Sequence, residues 1–120
     1  MRLVQVRDLI GGQGWFDLHQ YRLSPPEGVL MHWSRLVDMP IALIIVLLTP
    51  LLGSVAAETA ALVFVPLLTL GAILWVIGRL AWQLFDIDVA GFACLCIGLL
   101  APVVFQLQPM RVDHHGWQIF

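Results

Sequence analysis

Two long stretches without a charged residue constrain the fold of this chain more than any other feature. Residues 59–78 and residues 89–110 contain twenty and twenty-two consecutive uncharged positions. As a helix, either stretch is long enough to cross a hydrocarbon core about 30 Å thick. In lipid the backbone must satisfy its own hydrogen bonds, and the chain has too few candidate strands to close a barrel. The sequence therefore predicts an all-α membrane protein.

Composition supports a membrane environment and excludes one class of partner. Hydrophobic residues make up 60% of the 120 positions, charged residues only 12%, and the mean hydropathy of +0.90 exceeds that of ordinary soluble domains. The formal net charge is -2 and every basic residue is an arginine, so we expect no nucleic-acid partner. Cys94 and Cys96 lie two apart in a predicted helix and point to different faces, which disfavours a zinc or disulfide role.

The chain divides into four segments. Residues 1–38 are predicted to form an amphipathic helix and an external loop with interfacial aromatics. Residues 39–57 are apolar, but Pro40 and Pro50 leave only about 14 Å of helix between them, which predicts an interfacial or re-entrant helix. Residues 58–110 are predicted to form two transmembrane helices, a two-span hairpin with a short turn at 83–88. Residues 111–120 begin a second external loop.

The number of spans decides which polar residues can meet. With two spans, His32 and Asp113 lie on the same side of the membrane, whereas with three spans they lie on opposite sides. We expect the N-terminal loop to lie outside the cytoplasm, but the distribution of arginines points to the opposite orientation. Four of them precede the first predicted span and Arg79 alone lies between the two, so charge by itself would place the N-terminal loop in the cytoplasm. We expect two spans with both loops outside, in disagreement with the arginine count.

The densest polar sequence, RVDHHGWQ at 111–118, begins where the second uncharged stretch ends. Asp113, His114 and His115 supply oxygen and nitrogen ligands suited to a divalent transition metal, and in an extended segment Asp113 and His115 point the same way. Three consecutive residues rarely complete a metal site, so other ligands would have to come from elsewhere. The candidates are His32, His19, Asp17 and Asp38. The alternative is an interfacial cap whose imidazoles are solvated.

Three stretches follow one another in a recognisable order: MRLV at 1–4, PEGVLMHW at 26–33, and Asp-His-His at 113–115. In order and spacing they resemble the catalytic subunit of archaeal and bacterial oligosaccharyltransferases, which are membrane glycosyltransferases of the GT-C class. The first stretch resembles the end of that family's first acidic motif. The second resembles its first external loop, and the third its second acidic motif.

The resemblance implies a reaction and a role for each residue. In that family the external loops bind a divalent metal (Mn, Mg or Zn) that organises the phosphate of a polyprenyl-phosphate-linked sugar donor, and a carboxylate activates the acceptor protein or glycan. By resemblance, Asp113 and His115 would be metal ligands, and His32 and His114 would lie near the metal or the lipid phosphate. Arg35 would donate charge-assisted hydrogen bonds to that phosphate. The loops would face outward from a bacterial or archaeal inner membrane.

The same resemblance sets limits on what the chain does by itself. The family's first catalytic Asp is expected just before Met1, so we expect the sequence to be part of a larger enzyme and inactive alone. Asp17 and Asp38 do not match the place of that residue and receive no catalytic role. The alternative function is a noncatalytic membrane subunit or transporter-like protein in which Asp113, His114 and His115 form a structural cluster.

Overall fold

The computed structural model describes residues 2–112 and 117–118, and most of them are helical. In chain order the elements are α1 (Arg2–Ile10), β1 (His19–Gln20), β2 (Val29–Leu30), a 3₁₀ helix (Arg35–Val37), α2 (Asp38–Leu52), α3 (Ser54–Leu84), α4 (Ile87–Leu99) and α5 (Ala101–Gln106). The chain divides into two compact units, Met1–Ala61 (unit 1) and Leu62–Phe120 (unit 2). The long helix α3 belongs to both units.

Among the described residues, two helical segments are long and apolar enough to cross a membrane, as judged by length and composition. They are Arg35–Leu52, with 18 residues, and Ser54–Leu84, with 31. At 1.5 Å per residue, α3 is about 46 Å long, more than a hydrocarbon core of about 30 Å requires. The prediction of a mainly helical protein with two helices of spanning length is confirmed, but these two helices are not the predicted pair.

The segment at 39–57 forms a longer helix than its prolines suggest. Pro40 lies in the first turn of α2, where a backbone N–H has no intrahelical acceptor, and Pro50 lies in the last turn, so the helix continues past both. The 3₁₀ helix extends the segment further at its start. α2 ends at Gly53, whose φ of 79° favours glycine, and α3 begins at the next residue. Length therefore does not confine this segment to the interface.

The stretch at 89–110, which the sequence predicts as the second transmembrane helix, is divided into two helices in the structure. α4 ends at Leu99, Leu100 has extended backbone angles, and α5 begins at Ala101. Pro102 lies in the first turn of α5, just after the break, where its missing N–H is not needed, whereas in a continuous helix it would remove a hydrogen bond and press its ring against the carbonyl one turn earlier. The predicted turn is confirmed, since α3 ends at Leu84 and α4 begins at Ile87.

Unit 2 is a helical hairpin in which α4 and α5 return along α3. Gly78 lies beside Cys94, and further along the pair the N–H of Met110 donates to the carbonyl of Leu62 at 2.8 Å. The two partners run in opposite sequence directions, so the arrangement is antiparallel. The buried core of the hairpin consists of Ile73, Val103 and Leu107, with Leu70, Ile77 and Ile97 packed against it.

Unit 1 packs α1 against α2 and places a short antiparallel hairpin, β1 with β2, in the intervening loop. Val6 and Ile41 are buried almost completely. The loop between the strands closes at Gly28, which has a φ of 76°, and a Cβ there would come within 3.2 Å of the Tyr21 backbone. The loop is therefore folded as part of the unit.

Candidate functional site in the polar core of unit 1

The buried face of α1 is polar. The sequence predicts an apolar face that includes Leu3 and Val4, but the structure leaves both half-buried and instead buries Arg2 and Gln5 together with Val6. Arg2, Gln5 and Val6 recur at the three- and four-residue spacing that places side chains on one helix face. Buried polar groups require partners: the Arg2 side chain finds one on α2, and the backbone carbonyl of Gln5 accepts from Arg35 of the 3₁₀ helix.

Arg2 and Asp38 form the central ion pair of this core. Nη1 of Arg2 donates to Oδ1 of Asp38 at 3.0 Å, and the two side chains are only 4% and 2% exposed. The guanidinium of Arg2 also lies over the Trp33 ring, 5.1 Å from its centroid. A charge buried this deeply is tolerated only while it is paired, so the ion pair fixes α1 against the start of α2.

Arg35 anchors the loop that follows α1. Its Nη1 donates to the backbone carbonyl of Gln5 at 3.2 Å, and its Nη2 donates to the Gln13 side chain at 2.8 Å and to the backbone carbonyl of Asp17. The residue is 4% exposed. A phosphate bound by this guanidinium would have to displace one of these acceptors or reach a buried atom.

Three buried polar atoms of this core have no hydrogen-bond partner within the part of the chain that the structure describes: Nη2 of Arg2, Nε of Arg35 and Oε1 of Gln5. Two of the three are donors on cationic side chains. Among the described residues, the buried charged side chains of this core are two arginines and one aspartate, Asp38. The core of unit 1 carries an excess of positive charge.

Asp17 organises the turn that leads into β1. Its Oδ1 accepts from the backbone N–H of His19 at 3.1 Å and also lies 3.0 Å from Nδ1 of the His19 side chain. The hydroxyl of Tyr21 donates to Oδ2 at 3.4 Å. The backbone hydrogen bond from His19, reinforced by its side chain, lowers the pKa of the Asp17 carboxyl from its ordinary value. The carboxylate is therefore used within the loop.

A polar cavity of about 360 Å³ opens beside these residues. Arg7 and Arg22 contribute its two cationic groups and Asp8 its carboxylate, which accepts from Gln20 at 3.1 Å and from Arg22 at 3.1 Å. Arg7 is held by a bidentate pair with Glu58, which raises the pKa of the arginine. Both arginines remain more than half exposed, so they retain N–H groups that a ligand could reach.

The structure brings together only some of the residues that the sequence singles out. Asp113, His114 and His115 lie outside the described residues. His32 is exposed, with its ring edge-on to Trp33 at a centroid distance of 5.3 Å. Asp17 and His19 lie together, whereas Asp38 is paired with Arg2. Within residues 2–112 and 117–118, no group of three or more His, Cys, Asp or Glu side chains is placed to hold a metal ion.

Sequence reasoning missed the residues that build this core, above all Arg2, Gln5 and Gln20. A signal was present in α1, where Arg2 and Gln5 share the helix face of Val6 and Leu9. An amide and a guanidinium on the face that also carries apolar residues indicate a buried polar contact, but they do not identify its partners.

No known protein family, curated protein or solved structure matches this chain. The assignment of function therefore depends on the geometry of the residues and on the sequence motifs.

Proposed function

We propose that this chain serves in a membrane glycosyltransferase of the GT-C class, similar to the oligosaccharyltransferases, that transfers a glycan from a polyprenyl-phosphate-linked donor with the assistance of a divalent metal. The observation that supports this proposal best is the cavity of unit 1. Its volume of about 360 Å³ is within the range of small-ligand sites, and Arg7 and Arg22 supply exposed guanidinium groups suited to a phosphate.

The charge of the surrounding core supports the same class of ligand. Arg2 and Arg35 are buried close to the loop with a single buried carboxylate between them among the described residues, so the buried groups favour an anion, although residues 1–61 as a whole carry four arginines and five carboxylates. Carboxylate and imidazole ligands from Asp113 and His115 would hold the metal, with His32 near it or near the phosphate. A metal there would stabilise the departing phosphate as a Lewis acid.

A noncatalytic membrane subunit is the second candidate. It is favoured by the way the structure uses Arg35 and Asp38, since both side chains are buried in contacts within unit 1. In that function the polar core would stabilise the loop, and His32 would be an interfacial residue.

Metal content and glycan transfer separate the two candidates. The purified full-length enzyme that contains this chain is loaded with Mn²⁺, washed and analysed by elemental mass spectrometry, and transfer from a labelled polyprenyl-phosphate-linked sugar is measured in membranes. The glycosyltransferase proposal expects bound Mn²⁺ that is lost in Asp113→Ala and His115→Ala, together with at least a tenfold loss of transfer, a range typical of metal-site changes. Asp88→Ala, which removes an exposed carboxylate at the start of α4, is the matched control. Metal-free wild-type protein and unchanged transfer in both variants would overturn the proposal.

A further inference from the structure

A groove in unit 2 lies where the end of α3 meets the beginning of α4. Its volume is about 440 Å³, within the range of small-molecule sites. The lining is almost entirely apolar and includes Leu74, Trp75, Gly78, Ala90, Gly91 and Cys94. Such a groove offers contacts to a hydrocarbon chain and almost none to a polar ligand.

Arg79 is the one charged side chain that lines this groove. Its guanidinium carbon lies 5.5 Å from the centroid of the Trp82 ring, which holds the side chain beside the groove by a cation–π contact. Within the described part of the chain, no carboxylate approaches Arg79 to within 4.0 Å, and the Asp86 side chain, in the turn that follows α3, accepts from the backbone N–H of Val89. The groove thus combines an apolar lining with a cation that has no ion-pair partner there.

The position of Arg79 along α3 suits the edge of a bilayer. The uncharged stretch at 59–78 ends immediately before it, and at 1.5 Å per residue that stretch covers about 30 Å, the thickness of a hydrocarbon core. Arginine and tryptophan are typical of the level where acyl chains end and headgroups begin. A lipid lying there has its chains beside the groove and its phosphate at the height of Arg79.

We infer that this groove binds one acyl chain of an anionic phospholipid, with the lipid phosphate paired to Arg79. The apolar lining selects the chain, and the cation selects a headgroup with a net negative charge. A zwitterionic lipid carries its own ammonium group, which competes with Arg79 for the phosphate. The inference depends on the membrane environment of α3 and is independent of the proposed glycosyl transfer.

Native mass spectrometry of the whole chain tests the charge selection. The protein is purified in detergent with equal amounts of phosphatidylglycerol and phosphatidylcholine, and the lipids that remain bound are counted. We expect about a fivefold preference for phosphatidylglycerol, the effect of one arginine near an anionic headgroup, and its loss in Arg79→Gln. Arg111→Gln is the matched control, because it removes another unit 2 cation whose guanidinium carbon lies 4.3 Å from the Phe105 ring centroid, outside the groove.

A second pair of variants tests the groove itself. A Cβ at Gly91 or at Gly98 meets nothing within 4 Å, so both positions of α4 have space for a side chain, but only Gly91 lines the groove. We expect Gly91→Leu to reduce the amount of both bound lipids by filling the space and Gly98→Leu to leave them unchanged. Equal retention of the two lipids by wild-type protein, or equal losses in Arg79→Gln and Arg111→Gln, would overturn the inference. A lipid-free dimer as the main species would do so too, by making a second copy the occupant.

Discussion

Unit 1 and unit 2 bury different chemistry. Unit 1 buries Arg2, Arg35 and Asp38, each of which makes hydrogen bonds, whereas the described core of unit 2 is aliphatic apart from Thr69, whose hydroxyl donates to the carbonyl of Val65. Buried charges fix geometry because each needs a particular partner, while apolar contacts in a membrane are governed by close packing. The comparison indicates that a few buried polar contacts determine the structure of unit 1, whereas close packing between helices determines the structure of unit 2.

The largest effect is expected at the ion pair of unit 1. Asp38→Ala leaves the buried Arg2 without its carboxylate, and we expect the free energy of unfolding to fall by about 3–5 kcal/mol. Denaturant unfolding in detergent micelles measures the change. Glu27→Ala removes an exposed carboxylate from the same unit and should change stability by less than about 0.5 kcal/mol. Equal losses of stability in the two variants would contradict the prediction that the buried carboxylate contributes more than the exposed one.

Arg35 offers a test of whether its main role is to hold the loop. A lysine cannot reproduce three hydrogen bonds made by a planar guanidinium, so we expect Arg35→Lys to cost about 2–4 kcal/mol of unfolding free energy and Arg35→Met a similar amount. Arg22→Lys, at an exposed pair with Asp8, should cost less than about 1 kcal/mol. Full stability of Arg35→Lys would instead favour the phosphate-binding role predicted from the sequence.

In unit 2, the sensitive position is one of close packing. A Cβ at Gly78 would lie 2.9 Å from Sγ of Cys94, whereas a Cβ at Gly71 of the same helix meets nothing within 4 Å. We expect Gly78→Val to cost about 1–3 kcal/mol through overpacking, and Gly71→Val to be close to neutral. Thermal unfolding of the two variants, which share the same intrinsic helix effects, measures the difference. Equal midpoints would show that the contact between α3 and α4 can relax freely.

The smallest effect is expected from pH. The folded-state pKa of Asp17 lies below its ordinary value of 3.8, so its hydrogen bonds stabilise the loop fully above that value and are lost as the pH falls through the folded pKa. We expect wild-type protein to lose more stability than Asp17→Asn when the pH is lowered from about 5 to about 3. Unfolding midpoints measured across this range test it, and parallel profiles for the two proteins would count against the Asp17–His19 contact.

Much of the fold follows from the sequence, but the placement of helix breaks does not. Uncharged stretches of twenty or more residues predict helices, and the turn before α4 lies where the sequence places it, whereas α3 contains the stretch at 59–78 but begins at Ser54, within the segment predicted as a separate interfacial helix. The helices differ from the sequence prediction at positions close to prolines. Pro40 and Pro50 lie in end turns of α2 and are tolerated, whereas Pro102 interrupts the return helix. Pro66 lies in the interior of α3 without ending it, so a proline in an apolar stretch does not by itself locate a helix break.

The sequence by itself determined the helical, membrane-compatible character of this chain, because hydropathy over a long stretch is a sum over many residues. The functional roles of His32, Arg35 and Asp113 stay predictions. Only the tertiary structure decided that Arg35 is buried against the loop of unit 1 and that Asp38 forms an ion pair with Arg2. The physical reason is that a buried charge is defined by its partner, and Arg2 and Asp38 are 36 positions apart in the chain.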